Sequence, residues 1–426
     1  MKRLESKTPL SGPALEEFVR DSMAGLAVDG LRVLVIVPDD TRSVPLPVFF
    51  RTICEALRAR VAQLDFLIAL GTHPPMTPHR ILDHFDLSYT ERTERYREIG
   101  IFNHDWADSG ALVTLGTLSV ETVAQLSQNA LREAVEVRAN KRVTEYDHIV
   151  LVSPVFPHEV AGYSGGNKYF FPGVSGPEIL NLFHWLGALM SSPVIIGTKD
   201  TPVRRVIDAA ADLIPASTSA FCMNVNQDDC YAVYYGDVRE TWSAAADAAA
   251  RTHIVELDAP FRQVLALCPE MYDELWVAGK CMYKLESVVA DGGELIIYAP
   301  HLREISRTHG EHIRRVGYHT RDYLLAHMDR FADIPGGVLA HSSHVRGIGA
   351  FRDGQEQPRI RVTLASQIPG LECAAINLDY RDPESIDPDS WRGREPESVL
   401  VVDHAGETLY RLKQNNPKPE PVGAEI

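Results

Sequence analysis

The sequence predicts an α/β fold of two α/β domains with largely parallel sheets and an active-site crevice between them. Three observations carry this reading. Near-continuous apolar segments recur and end in polar, glycine- or proline-bearing loops, as strands buried on both faces of a parallel sheet do. Several are followed by apolar residues at helical spacing, and such alternation implies a parallel sheet covered by helices. The chain has 426 residues, beyond the roughly 250–300 at which a single core usually stops growing.

The first strand is LRVLVIVPDD, from Leu31 to Asp40, and a helix follows from Pro45 to Arg60. The run LDFLIALG ends at Gly71, and THPPMTPHRILDHF supplies a turn and a second helix. DHIVLVSPV, from Asp147 to Val155, is again a strand; the glycine-rich stretch after it is a loop, and Pro177 to Leu189 is a helix. Ligands in open α/β sheets bind outside the carboxyl ends of strands. The loops PDDTR, GTHPPM and PHEVAGYSGGNK are therefore expected to face one crevice. After an alanine-rich helix, TWSAAADAAARTH, the pattern restarts near Pro260. There YDELWVAGK reads as a strand, CMYKLESVVADGG as a helix closed by glycine, and ELIIYAP as the next strand. This divides the chain into an N-terminal domain over 1–262 and a C-terminal domain over 268–395. SVLVVDHAGETLYRL, within 396–415, is expected to rejoin the first domain as a hairpin-like pair of strands, with 416–426 a loose tail.

A formal net charge of -16 with no long basic block argues against a nucleic-acid partner. The start MKRLESKTPL has no apolar core after it, and no run approaches the roughly 18 apolar residues of a membrane span, so a cytoplasmic location with no membrane partner is expected. Six cysteines without CxxC spacing fit neither a disulfide framework nor a thiolate zinc site.

Chemistry concentrates in the loops. GYSGGNK, Gly162 to Lys168, resembles an anion cradle of converging backbone N–H groups with one Lys, though it is no P-loop, and it equally suits a tight loop before a helix. His158 and His184 flank it. PDDTRSVP sets Asp39 and Arg42 at a strand end, where a carboxylate can orient a histidine or ribose and a guanidinium can grip a substrate carboxylate; an N-cap with a surface Arg is the plainer alternative. His73, in GTHPPM, suits a general base.

Together DDTR, ALGTHPPM, SPVFPHEVAGYSGGNKYFFPGVSG and the helix carrying His184 resemble the lactate racemase family, the nickel-pincer nucleotide-dependent 2-hydroxyacid racemases and epimerases, over roughly residues 30–400. The resemblance implies a cofactor: a nickel-pincer nucleotide (pyridinium-3,5-bisthiocarboxylic acid mononucleotide with Ni), and with it cofactor-synthesis proteins as partners. It implies Lys168 as the tether, His184 as the nickel ligand, and Asp39, Gly165 and Gly166 near the nucleotide. It further implies His73 and His158 as bases on opposite faces of a small-molecule 2-hydroxy acid whose C2 is inverted by hydride transfer through a 2-keto acid, and Arg42 as its anchor. The family's Gln-Ser-x-Lys segment is replaced here by GKCMYKLES, in which Lys284 and Tyr283 are the expected substrate contacts and Lys280 a second choice. This departure, with His301, His309, His312 and His319 in HLREISRTHGEHIRRVGYH, suits a sugar acid such as an aldonate. Two other readings stay open: a lyase or hydrolase whose metal is held directly by His73, His158 and His184, and a non-catalytic protein binding a phosphorylated metabolite.

Overall fold

The computed structural model describes residues 1–413 apart from Thr72; the expected tail at 416–426 lies outside the described residues. Arg32–Pro38 is an interior strand of a seven-stranded sheet, and Val33 through Val37 are fully buried. Their side chains alternate between two cores: Leu34 and Ile36 join one face, and Val33, Val35 and Val37 the other. A continuous apolar run is what a strand covered on both faces requires.

Arg32–Pro38 pairs in parallel with Gln63–Ala69 on one side and His148–Pro154 on the other, so the chain reverses its direction of sheet growth there. Gly100–Asn103 extends the first side and Ser217–Asn226 the second, both in parallel. Asp229–Gly236 and Lys2–Glu5 add an antiparallel edge. The loops after Pro38, Ala69 and Pro154 thus open at one end of the sheet, around the switch point where such folds bind ligands.

A second sheet is wholly parallel, in the order Asp379–Tyr380, Arg361–Ser366, Val289–Ala299, Phe261–Leu267, Val399–Val402. It differs from the sequence reading in four places. Its first strand in the chain is Phe261–Leu267, starting before residue 268. YDELWVAGK is not a strand: Leu275–Ala278 and Lys280–Tyr283 are two short helical turns, because Leu275, Ala278, Cys281, Met282 and Leu285 are buried at spacings of three to four. The helix expected over CMYKLESVVADGG stops at Tyr283, and Val289 already begins the long strand to Ala299. The segment 396–415 makes no hairpin. Val399–Val402 lies in the second sheet, while Leu409–Leu412 pairs in parallel with Ile254–Leu257. The two strands part because each finds a parallel partner elsewhere.

Candidate active site

The three loops of the first sheet and the short helices of the second unit enclose a crevice of about 600 Å³. Asp39, Arg42, His73, His158, Gly165, Lys168, His184 and Tyr283 all line it. Gly166 and Lys284 do not. A Cβ on Gly166 would lie 2.9 Å from the Trp242 side chain, so this glycine permits packing beneath the loop rather than approach of a ligand. The Lys284 ammonium turns away to donate to the Glu407 carbonyl at 2.9 Å. Lys280, one helical turn before Lys284, lines the crevice in its place.

Asp39 is buried, and its carboxylate accepts the His73 Nδ1–H at 2.5 Å and the Thr41 hydroxyl at 2.6 Å. Burial alone would raise its pKa, but His73, Arg42 and Thr41 together hold it well below the usual carboxylate range. The bond fixes the His73 tautomer and leaves Nε2 with a free lone pair. The loop bearing His73 is itself braced. Trp106 donates its indole N–H to the His73 carbonyl at 3.2 Å, and Asn103 bonds both backbone groups of Met76. NHDW, Asn103 to Trp106, is therefore a clasp on this loop.

His158 differs from His73. Its Nδ1 accepts the Val160 N–H at 3.1 Å, which leaves the proton of the neutral ring on Nε2. Glu159 Oε2 stands 3.5 Å from the same Nδ1. A shift of the proton to Nδ1, toward Glu159, is what would free Nε2 as a base. Burial pushes His158 well below its usual range, against the pull of Glu159. Burial would raise Glu159, but the facing His158, Lys280 and Lys284 keep it ionised.

Lys168 follows a loop held from beneath. The buried Arg204 guanidinium donates to the carbonyls of Tyr163 and Gly165 and lies 4.1 Å from the Trp242 ring; the Trp242 indole donates to the Ser164 carbonyl at 2.8 Å. Asn167 is tied to Asp208 at 2.9 Å. Burial, reinforced by Arg42, brings Lys168 down to about 7, so a neutral amine is accessible near physiological pH. On the helix Pro177–Met190, His184 donates Nδ1–H to the Leu180 carbonyl at 2.7 Å. Its Nε2 is thereby an acceptor, and burial keeps the ring neutral by lowering its pKa to about 4. A backbone-oriented neutral imidazole is the usual form of a metal-ligating histidine.

The opposite wall comes from the second unit. Lys280 lies 4.9 Å from the Tyr272 ring and is brought to about 7 by burial and then by Arg42. Of the four histidines in HLREISRTHGEHIRRVGYH, only His309 lines the crevice, against Trp276 at 4.3 Å. His319 is bonded to Glu356 at 2.8 Å, away from it. Two crevice histidines escaped the sequence reading, His341 and His344, both on the helix Gly336–Arg346. The sequence does carry a signal, an H-x-x-H spacing that places both on one helical face. Glu159 and Arg204 were also missed; only their neighbours in space reveal them.

Residues 13–194 match the family described as the lactate racemase N-terminal domain. The lactate racemase of Thermoanaerobacterium thermosaccharolyticum is 24% identical over 211 residues, 49% of this chain and 44% of that one. That of Lactiplantibacillus plantarum is 24% identical over 187 residues, 43% and 38% of the respective chains. The match thus spans less than half the length of either relative. Among solved structures, a protein from Thermotoga maritima is 31% identical, with a TM-score of 0.86 over 96% of this chain and 100% of that one. The lactate racemase apoprotein of T. thermosaccharolyticum shares the fold, with a TM-score of 0.68 at 15% identity over 93% and 92% of the two chains.

Proposed function

We propose that the chain, whose residues 13–194 match the lactate racemase N-terminal domain family, is an isomerase that inverts C2 of a 2-hydroxy acid, with a polyhydroxylated acid such as an aldonate as the class that suits its crevice. The observation that carries this reading is the convergence of Asp39–His73, Arg42, His158, Lys168 and His184 on one crevice.

These residues fit a nickel-pincer nucleotide. His184 offers one neutral nitrogen donor to the crevice, and Lys168 an amine able to form a covalent tether. Among the described residues no group of three or more His, Cys, Asp or Glu is arranged to hold an ion. The protein would then give a single donor and the organic ligand the rest, a set that suits Ni(II). The same observation disfavours a metal held by His73, His158 and His184 alone. When bound, the group would supply hydride-transfer chemistry at C2.

The chain's own residues do the remainder. Arg42, which has no carboxylate partner among the described residues, holds the substrate carboxylate. His73 Nε2 takes the hydroxyl proton, and Asp39 stabilises the imidazolium that results. Removing that proton turns the C2–O bond into a carbonyl as the C2 hydrogen leaves with its electron pair. His158 serves the opposite enantiomer once its proton moves from Nε2 to Nδ1, the side on which Glu159 stands. Loading requires the cofactor-synthesis proteins.

The test is NMR of 2-hydroxy acids in deuterated water with protein co-expressed with those synthesis proteins. C2 should invert while largely keeping its hydrogen. Rapid exchange of that hydrogen with solvent would rule the mechanism out, and a Lys168→Ala protein of wild-type activity would rule out the tether.

A further inference from the structure

His341 and His344 lie one turn apart on the helix Gly336–Arg346, both more than nine-tenths buried and both lining the crevice. Each uses one ring nitrogen inside the protein. His341 donates Nε2–H to the Trp276 carbonyl at 2.9 Å, and His344 shares Nδ1 with the Ser192 hydroxyl. Their other nitrogens, His341 Nδ1 and His344 Nε2, are buried without a hydrogen-bond partner among the described residues. Buried polar atoms of this kind are rare, and two on one helical face beside the crevice point to a polar group received there.

The geometry also says which ligand. With its proton committed to Trp276, neutral His341 presents Nδ1 only as an acceptor, so a carboxylate, which has no proton to give, cannot satisfy it. Ser192 can either give or take a proton at His344 Nδ1, leaving His344 Nε2 a donor or an acceptor accordingly. A hydroxyl satisfies both nitrogens in every one of these states. Burial keeps the two rings neutral, with His341 at about 3 and His344 at about 4. Flat aromatic surface surrounds them: Trp276 stacks on His341 at 4.1 Å and Tyr283 lies edge-on to His344 at 5.9 Å.

We propose that His341 and His344 form a hydroxyl-reading subsite that determines specificity, binding hydroxyls beyond C2 of the substrate and rejecting chains that lack them. The inference rests on the 2-hydroxyacid reading only for the head of the molecule held at Arg42. A site built to bond a hydroxyl discriminates strongly, because the analogue leaves buried groups unpaired.

Gluconate and 2-hydroxyhexanoate share a six-carbon 2-hydroxy acid frame and differ in the further hydroxyls, so they are the probes. Calorimetry on the full chain should show gluconate binding at least about tenfold tighter. His341→Phe, which keeps the stack on Trp276, and His344→Phe should each weaken gluconate by roughly tenfold or more while leaving 2-hydroxyhexanoate within about twofold. The unchanged binding of 2-hydroxyhexanoate certifies that the variants are folded. Equal affinity for the two acids in the wild type, binding of neither, or a gluconate preference that survives both substitutions overturns the subsite. C2 inversion by the loaded protein is scored separately: preference without inversion sinks the proposed reaction and leaves the subsite standing, whereas inversion without preference does the reverse.

Discussion

Asp39→Asn is the most direct probe of the proposed base. Asparagine keeps the shape of the buried side chain and can still accept from Thr41, but it removes the charge that receives the His73 Nδ1–H at 2.5 Å. A hydrogen bond to an ionised group contributes about 1.5–3 kcal/mol, which converts to roughly a 10- to 150-fold loss of rate if it is fully developed only as His73 becomes cationic. A second effect adds to this. The asparagine amide can also donate to Nδ1, and the ring then moves its proton to Nε2, where the base is needed. General acid–base contributions of about 10² to 10⁴ set the scale of that loss. The assay is the initial rate of C2 inversion by loaded protein, with kcat and KM separated and the urea midpoint measured in parallel. The fall should be in kcat, with KM nearly unchanged because the proposed anchor Arg42 is left in place. A kcat within about twofold of wild type, in a variant of normal stability, would refute the dyad.

Lys280→Met should raise KM about tenfold or more, since Lys280 lines the crevice, whereas Lys284→Met should leave KM alone and lower unfolding stability by about 1–2 kcal/mol through its lost bond to Glu407; steady-state kinetics and urea titration separate the two. Gly166→Ala should destabilise the protein by about 1–3 kcal/mol, because φ is +59° there and the new Cβ meets Trp242 at 2.9 Å. Acid should destabilise the protein well before carboxylates titrate in bulk. Burial lowers His104, His148, His184 and His253 from 6.5 to about 4. Between those values the unfolded chain binds more protons than the folded one, so stability rises with pH through the window and is lost as pH falls through it. A urea midpoint that is flat from pH 7 to pH 5 would contradict this.

What the sequence displayed and what it hid have physical causes. The strand Arg32–Pro38 is apolar from Val33 onward because both faces are covered there, and such strands end abruptly at PDDTR or GTHPPM. The reactive loops were legible for that reason. The second unit was not, because Leu275–Ala278 and Lys280–Tyr283 are four-residue turns, too short to show a helical period, and Gly292 and Gly293 interrupt a long strand. Choosing between Lys280 and Lys284 required knowing which way each side chain leaves such a turn. Arg204 illustrates a different limit: its partners Tyr163 and Gly165 precede it by about forty residues, and nothing in its helical surroundings marks it as the support of a loop.

The groups that would move protons and hold the cofactor all ride on the first sheet, whereas the groups that would read the far end of the substrate ride on the second. On the proposed roles, reactivity and selectivity would be separately heritable in this architecture. A change along 275–346 can alter which molecules are accepted without disturbing a single bond around Asp39, His73 or Lys168. Exchanging that stretch between relatives should transplant preference while the reaction stays the same, so substrate range in such chains is free to drift under a fixed chemistry.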